Sequence, residues 1–201
     1  AGFDRTVGNY TISREIVWSD REIWFDAVHS FLARALRVQL IPHRFIRDPA
    51  YKERLRNKLK MVANLDLPFV VRPVDAVNAL ASLFVVYDRE DGVPLAEILE
   101  RVRSVPPPVI SAVVLRTAEM LAALHDREIV HTDIRPETVY CTRSGDIRLA
   151  HIGILHPDYP AQEFTAPELM QKKYSGKSAD VYALGVVTYL LCAGKFPFDA
   201  K

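Results

Sequence analysis

The periodicity of the apolar residues changes once along this chain, near Asp91-Gly92, and that change limits what it can fold into. Before it, apolar residues mostly alternate with polar ones, as in half-buried strands; after it, they recur at helical spacing. Residues 10–17 (YTISREIV) and 36–41 (LRVQLI) alternate cleanly. Residues 22–28 (EIWFDAV) read as a weaker strand, and 69–75 (FVVRPVD) and 82–87 (SLFVVY) as two more. One helix interrupts them. Asp48 is a side-chain acceptor at the N-cap, Pro49 suits the first helical position, and Tyr51, Leu55, Leu59 and Val62 follow one face before Pro68 closes the segment. Beyond Gly92 the spacing predicts helices over 94–102, 108–126, 167–170 and 181–193, with a short hairpin (138–142, 147–150) around Ser144-Gly145. The long helix places Ile110, Val113, Val114, Thr117, Leu121 and Leu124 on one face. The layout is α+β: a strand-rich lobe over 1–90, a connector near 88–93 and a helical lobe over 91–201.

Composition excludes several classes of function. Of 201 residues 49% are hydrophobic and 25% charged, so the chain folds rather than staying disordered. A net charge of +1 argues against nucleic acid as the main partner. Cys141 and Cys192 form no CxxC pair and no disulfide framework, which suits a reducing, cytoplasmic compartment. The N-terminus has no apolar signal region. The longest uncharged run, 181–194, is shorter than the roughly 18 residues a membrane span needs, so no membrane segment is expected within this chain. A start at Ala1 without Met suggests a processed or partial chain, so a larger or membrane-attached parent stays open. The stretch 43–60 carries seven Lys or Arg and two acids. Its plain reading is a solvated helix face; its sharper one is a docking surface for an acidic partner. Most telling, no glycine lies between Gly8 and Gly92, so the first half contains no glycine-rich phosphate loop.

The chemistry concentrates around His131-Thr132-Asp133-Ile134-Arg135-Pro136-Glu137-Thr138, after the long helix and before the hairpin. A lone Asp in a loop is usually a cap or turn residue. This one is followed in order by His151-Ile152-Gly153, Ala166-Pro167-Glu168 and Asp180-Val181-Tyr182-Ala183-Leu184-Gly185. Together these motifs resemble the eukaryotic-type Ser/Thr protein kinases found in bacteria, most closely over 121–199. The resemblance implies a two-lobed kinase-like fold with a β-rich N-lobe and an α-rich C-lobe, here cut short after its central helix.

Phosphoryl transfer rests on positioning and charge neutralisation, so each position can be tested against that need. The resemblance places the three glycines of the phosphate loop at Val17, Ser19 and Glu22, all lost. It places the phosphate-anchoring Lys at Gln39, with Arg37 two residues away on the same pleat. The Glu that should hold that Lys falls at Lys58. Val86 completes the altered nucleotide-facing positions. Asp133 matches the catalytic Asp and His131 the structural His, while Thr132 replaces the Arg that grips an activation-loop phosphate. Arg135 replaces a Lys and could still meet a phosphate. Thr138 stands for the metal-binding Asn. His151 stands for the metal-binding Asp of the DFG triplet, where imidazole is a poor ligand for a hard cation. Asp180 is the family's anchor for the catalytic loop backbone.

The expectation is a pseudokinase: a kinase fold without phosphotransfer, used as a binding or regulatory module through protein contacts, with no metal and no cofactor. The alternative is a weakly active or unorthodox kinase, or a nucleotide-binding regulator, working through Asp133, Arg135 and Thr138 with ATP and magnesium. Helix 181–193 is apolar nearly all round, so a shortened C-lobe should leave one side of it exposed for a protein partner or a second copy.

Overall fold

The computed structural model describes residues 5–18, 23–153, 162–170 and 176–198. The chain divides into two compact units: residues 1–66 with 71–90, and residues 67–70 with 91–201.

The first unit is built on a six-stranded antiparallel sheet of order β1-β2-β3-β4-β6-β5. Its strands are β1 (Arg5–Val7), β2 (Tyr10–Trp18), β3 (Ile23–His29), β4 (Ala35–Ile41), β5 (Pro73–Ala79) and β6 (Ser82–Asp88). Strand β1 has no counterpart in the sequence reading. The sheet curls strongly, because β2 and β5 lie far apart in its order yet the Tyr10 hydroxyl donates to Asp75 Oδ2 at 2.6 Å. Inside the curl Val7, Tyr10, Ile12, Ala27, Leu36, Val38, Phe84 and Val86 pack as one buried cluster.

Between β4 and β5 run a single-turn helix α1 (His43–Ile46) and helix α2 (Pro49–Ala63). The start of α2 is local chemistry: Asp48 Oδ1 accepts from the Ala50 amide at 2.9 Å, and Pro49 has no amide proton to lose. Its apolar stripe, Tyr51, Leu55, Leu59 and Val62, is buried. The cations Lys52, Arg54, Arg56 and Lys60 are exposed, and Glu53 already pairs with Arg56 at 2.7 Å.

Strand β5 departs from expectation. The apolar run 69–71 reads as its beginning, but the strand starts at Pro73, and Val70, itself part of the second unit, makes an isolated bridge to Leu149 within that unit. Proline is tolerated because β5 is an edge strand, so its missing amide proton breaks no ladder. The far end extends to Ala79 because the hairpin turns through Leu80 and Ala81, both left-handed at φ 51° and 57°. Such turns normally carry Asn-Gly, so Leu-Ala gives no turn signal.

The second unit contains α3 (Leu95–Arg101), α4 (Pro107–His125), α5 (Pro167–Met170), α6 (Lys177–Ala193), a 3-10 turn (Gln162–Phe164) and a small sheet. That sheet joins β7 (Gly92–Pro94), β8 (Val139–Thr142) and β9 (Ile147–Leu149) in the order β7-β8-β9. Gly92 is required there, since a Cβ would sit 2.6 Å from the Cys141 carbonyl oxygen. By length and composition α4 is apolar enough to cross a bilayer. In this fold it buries Ile110, Val113, Thr117, Leu121 and Leu124 and packs against α6.

Helix α6 buries Ala179, Asp180, Ala183, Val186, Val187 and Leu191 and ends at Gly194, left-handed at φ 65°. Val181, Tyr189 and Cys192 are exposed along its other side. Phe196 turns back onto Phe164, ring centroids 5.4 Å apart, and remains partly open to solvent.

Candidate functional site

The loop between α4 and β8 is held from beneath by one carboxylate. Asp180, in the first turn of α6 and 1% exposed, accepts from the His131 amide at 2.8 Å and from the Thr132 amide at 2.7 Å. His125 Nε2, at the end of α4, donates to the same carboxylate at 2.8 Å. A buried carboxylate tolerates burial only when its lone pairs are filled this way. The clamp also fixes an uncommon backbone. Thr132 has φ 67° and His151 φ 66°, a region that costs a residue with a Cβ roughly 1–2 kcal/mol. The Gly153 amide donates to the His131 carbonyl at 2.8 Å, tying the segment at His151 to the same loop.

His131 is fully buried, and burial pushes its imidazole down to about 4, against the pull of nearby Asp180. Its Nδ1 accepts from the Asp133 amide at 3.3 Å, so the ring is neutral with its proton on Nε2. His131 thus works as a neutral spacer beneath the loop.

Asp133 and Arg135 form a pair of their own. Arg135 Nε donates to Asp133 Oδ1 at 2.8 Å, and Nη2 lies 3.4 Å from Oδ2. Glu137 Oε2 takes the outer edge of the guanidinium at 3.4 Å. The aspartate and arginine are 5% and 8% exposed. Asp133 also lines a small pocket with Thr132, Ile134, Phe164, Thr165 and Leu169.

Thr138 is directed into the loop. Its hydroxyl donates to the Asp133 carbonyl at 2.7 Å, lies 3.0 Å from the Arg135 carbonyl and accepts from the Arg135 amide at 3.1 Å. The residue is fully buried. The hydroxyl staples both ends of the turn together, and full burial shuts its one remaining lone pair off from solvent. His151 is also buried.

In the first unit Gln39 is central in β4, opposite Trp24 of β3 and Val85 of β6, and 5% exposed. Arg37 shares its face and pairs across with Tyr87. Val86 points the opposite way, into the sealed core cluster with Val38 and Phe84. The β6 residues on the Gln39 face are Leu83, Val85 and Tyr87. Lys58 is half-buried on α2. Val17 is in β2 opposite Trp24, while Ser19 and Glu22 lie outside the described residues. Trp24 and Tyr87 were not singled out from sequence. Stepping by two from Gln39 and across the ladder would have found them, but register is not written in one strand alone.

The motif order agrees with a wider comparison: residues 38–201 match the model of the protein kinase domain. The chain belongs to the protein kinase family. It is 27% identical over 185 residues to the serine/threonine-protein kinase pkn2 of Myxococcus xanthus, covering 84% of this chain and 22% of that protein. It is 24% identical over 208 residues to PrkC of Bacillus subtilis, covering 98% of this chain and 32% of that one. The chain therefore spans under a third of the length of these two kinases. The crystal structure of the Mycobacterium tuberculosis PknI kinase domain superposes with a TM-score of 0.80 at 26% identity, covering 98% of this chain and 77% of that one. The fold is that of a protein kinase.

Kinases bind their nucleotide with magnesium, and the residues present do not fit that metal. By the resemblance, imidazole stands in for the metal-binding aspartate, and the Thr138 hydroxyl that stands in for the second ligand is buried and bonded within the loop. Among the described residues no group of three His, Cys, Asp or Glu could hold a metal ion.

Proposed function

We propose that the chain is a pseudokinase, a kinase fold that acts as a binding or regulatory module through protein–protein contacts and transfers no phosphate. The observation that carries this reading is the buried, loop-bonded hydroxyl of Thr138, together with the buried imidazole of His151. Together they remove both side chains that would hold magnesium on the transferring phosphate. Gln39 adds to it, having no charge to set against phosphate. The Asp180 clamp is consistent with the same reading, since it preserves the shape of the loop without requiring chemistry from it. A cytoplasmic setting, alone or within a larger or membrane-attached protein, belongs to this reading. So does association with a second copy through the exposed side of α6, where Val181 and Tyr189 stand 62% and 42% exposed.

The test is phosphotransfer from labelled ATP to a generic protein substrate, with magnesium or manganese. No incorporation above that of Asp133→Asn is expected. Incorporation that Asp133→Asn abolishes would establish an active kinase instead. Sedimentation of the native chain beside Tyr189→Glu tests the association: a native dimer that the variant converts to monomer is expected.

A further inference from the structure

The face of the first sheet that carries Gln39 is filled by large side chains of the chain itself. Gln39 marks which face a nucleotide would approach, because it stands where a kinase anchors phosphate. Antiparallel register places Trp24 directly across from Gln39, and Tyr87 directly across from Arg37. The Trp24 and Tyr87 rings contact each other, centroids 5.5 Å apart and planes tilted by 43°. The Tyr87 hydroxyl lies 3.5 Å from Gln39 Oε1, at the long limit of a hydrogen bond. Trp24, Gln39 and Tyr87 are 8%, 5% and 2% exposed. The opposite face of the same strands is the closed core of Val38, Phe84 and Val86.

A flat base needs a slot between apolar walls, and a packed interior leaves no such slot vacant. An indole and a purine are both a five-membered ring fused to a six-membered one, so Trp24 is of the size that would have to be accommodated. We propose that Trp24, packed on Tyr87 and Gln39, is a built-in plug that takes the place of a purine on this face and excludes adenine nucleotides with or without metal. The inference rests on the pseudokinase reading and deepens it: metal loss alone would still allow a free nucleoside to bind, whereas a plug would not.

The experiment uses the full chain and two kinds of probe. First, adenosine and metal-free ATP are titrated by calorimetry to millimolar concentration. No binding to the native chain is expected, and a dissociation constant below millimolar overturns the plug. Second, Trp24→Ala should leave an indole-sized cavity that small aromatic ligands refill, as apolar cavities do. Indole or adenine near saturation should raise its unfolding midpoint by roughly 5 °C or more, and leave that of the native chain unchanged. Trp24→Leu and Tyr87→Leu, which remove less volume, serve if Trp24→Ala does not fold. Absence of any ligand-dependent rise in every folded variant overturns the proposal. The two readings fail separately. Adenosine binding without phosphotransfer removes the plug and keeps the pseudokinase, whereas phosphotransfer that depends on Asp133 removes the pseudokinase.

Discussion

The loop held by Asp180 and the sheet face around Gln39 treat polar groups in opposite ways. In the loop, buried polar groups are bound into a dense local network: one carboxylate takes two amides and an imidazole, and one hydroxyl bridges two carbonyls. On the sheet face, a single buried amide meets a tyrosine hydroxyl at 3.5 Å among aromatic rings. The loop network holds backbone in a conformation it would not keep alone. The sheet is held by its own ladder, so side chains on that face can change without loss of the strand. Side chains that hold the backbone in shape therefore concentrate in the loop, while those on the sheet face are free to differ without loss of the strand.

The sharpest way to break this comparison is Asp180→Ala. It strands the amides of His131 and Thr132, at about 1–3 kcal/mol each, and removes the partner of His125. A loss of roughly 4 kcal/mol is expected, a fall of about 8–16 °C in the thermal midpoint by circular dichroism. A fall no larger than that of Gln39→Leu would mean the loop is not held as described.

Acid tests the same network by another route. His131 has its pKa lowered to about 4 by burial, so between the ordinary histidine value and about 4 the unfolded chain binds a proton that the native chain refuses. Stability therefore falls as pH drops through that window, by up to roughly 3 kcal/mol, and is fully present above it. Urea midpoints of the native chain should fall more steeply between pH 7 and pH 4.5 than those of His131→Phe. Parallel slopes would show that His131 carries none of the effect.

A smaller change should stabilise the first unit. Leu80 is exposed and, like Ala81, left-handed, so Leu80→Asn with Ala81→Gly relieves strain without losing packing. A gain of about 1 kcal/mol in urea denaturation is expected. The smallest effect is reserved for Gln39→Leu, which removes one long hydrogen bond and sets an apolar side chain beside Trp24, Val85 and Tyr87. A change within about 1 kcal/mol is expected, and a larger loss would show that Gln39 is held by more than this one bond.

How much was legible beforehand follows the range of the signals. Asp48-Pro49 announces α2 because cap chemistry is local, and β2, β4 and β6 are visible because a half-buried strand alternates or runs apolar in place. The start of β5 was misplaced because Val70 and Val71 are buried by tertiary packing, and burial writes the same apolar letters as a strand. Its end was missed because a Leu-Ala turn is permitted only by the ladder that closes around it. At the candidate site, the order His131, Asp133, His151, Asp180 was readable because each is tied to a motif. The inward turn of the Thr138 hydroxyl was not, because a threonine's letter is the same whichever carbonyl its hydroxyl meets.

By itself the sequence determined the kinase architecture and the motif order from His131 and Asp133 through His151 to Asp180, since these depend on spacing and residue type. Only the tertiary structure decided that Val86 faces the core and that Trp24 and Tyr87 close over Gln39. Which face a strand residue occupies depends on its register with two other strands, and a shift of one residue would have reversed every one of those assignments.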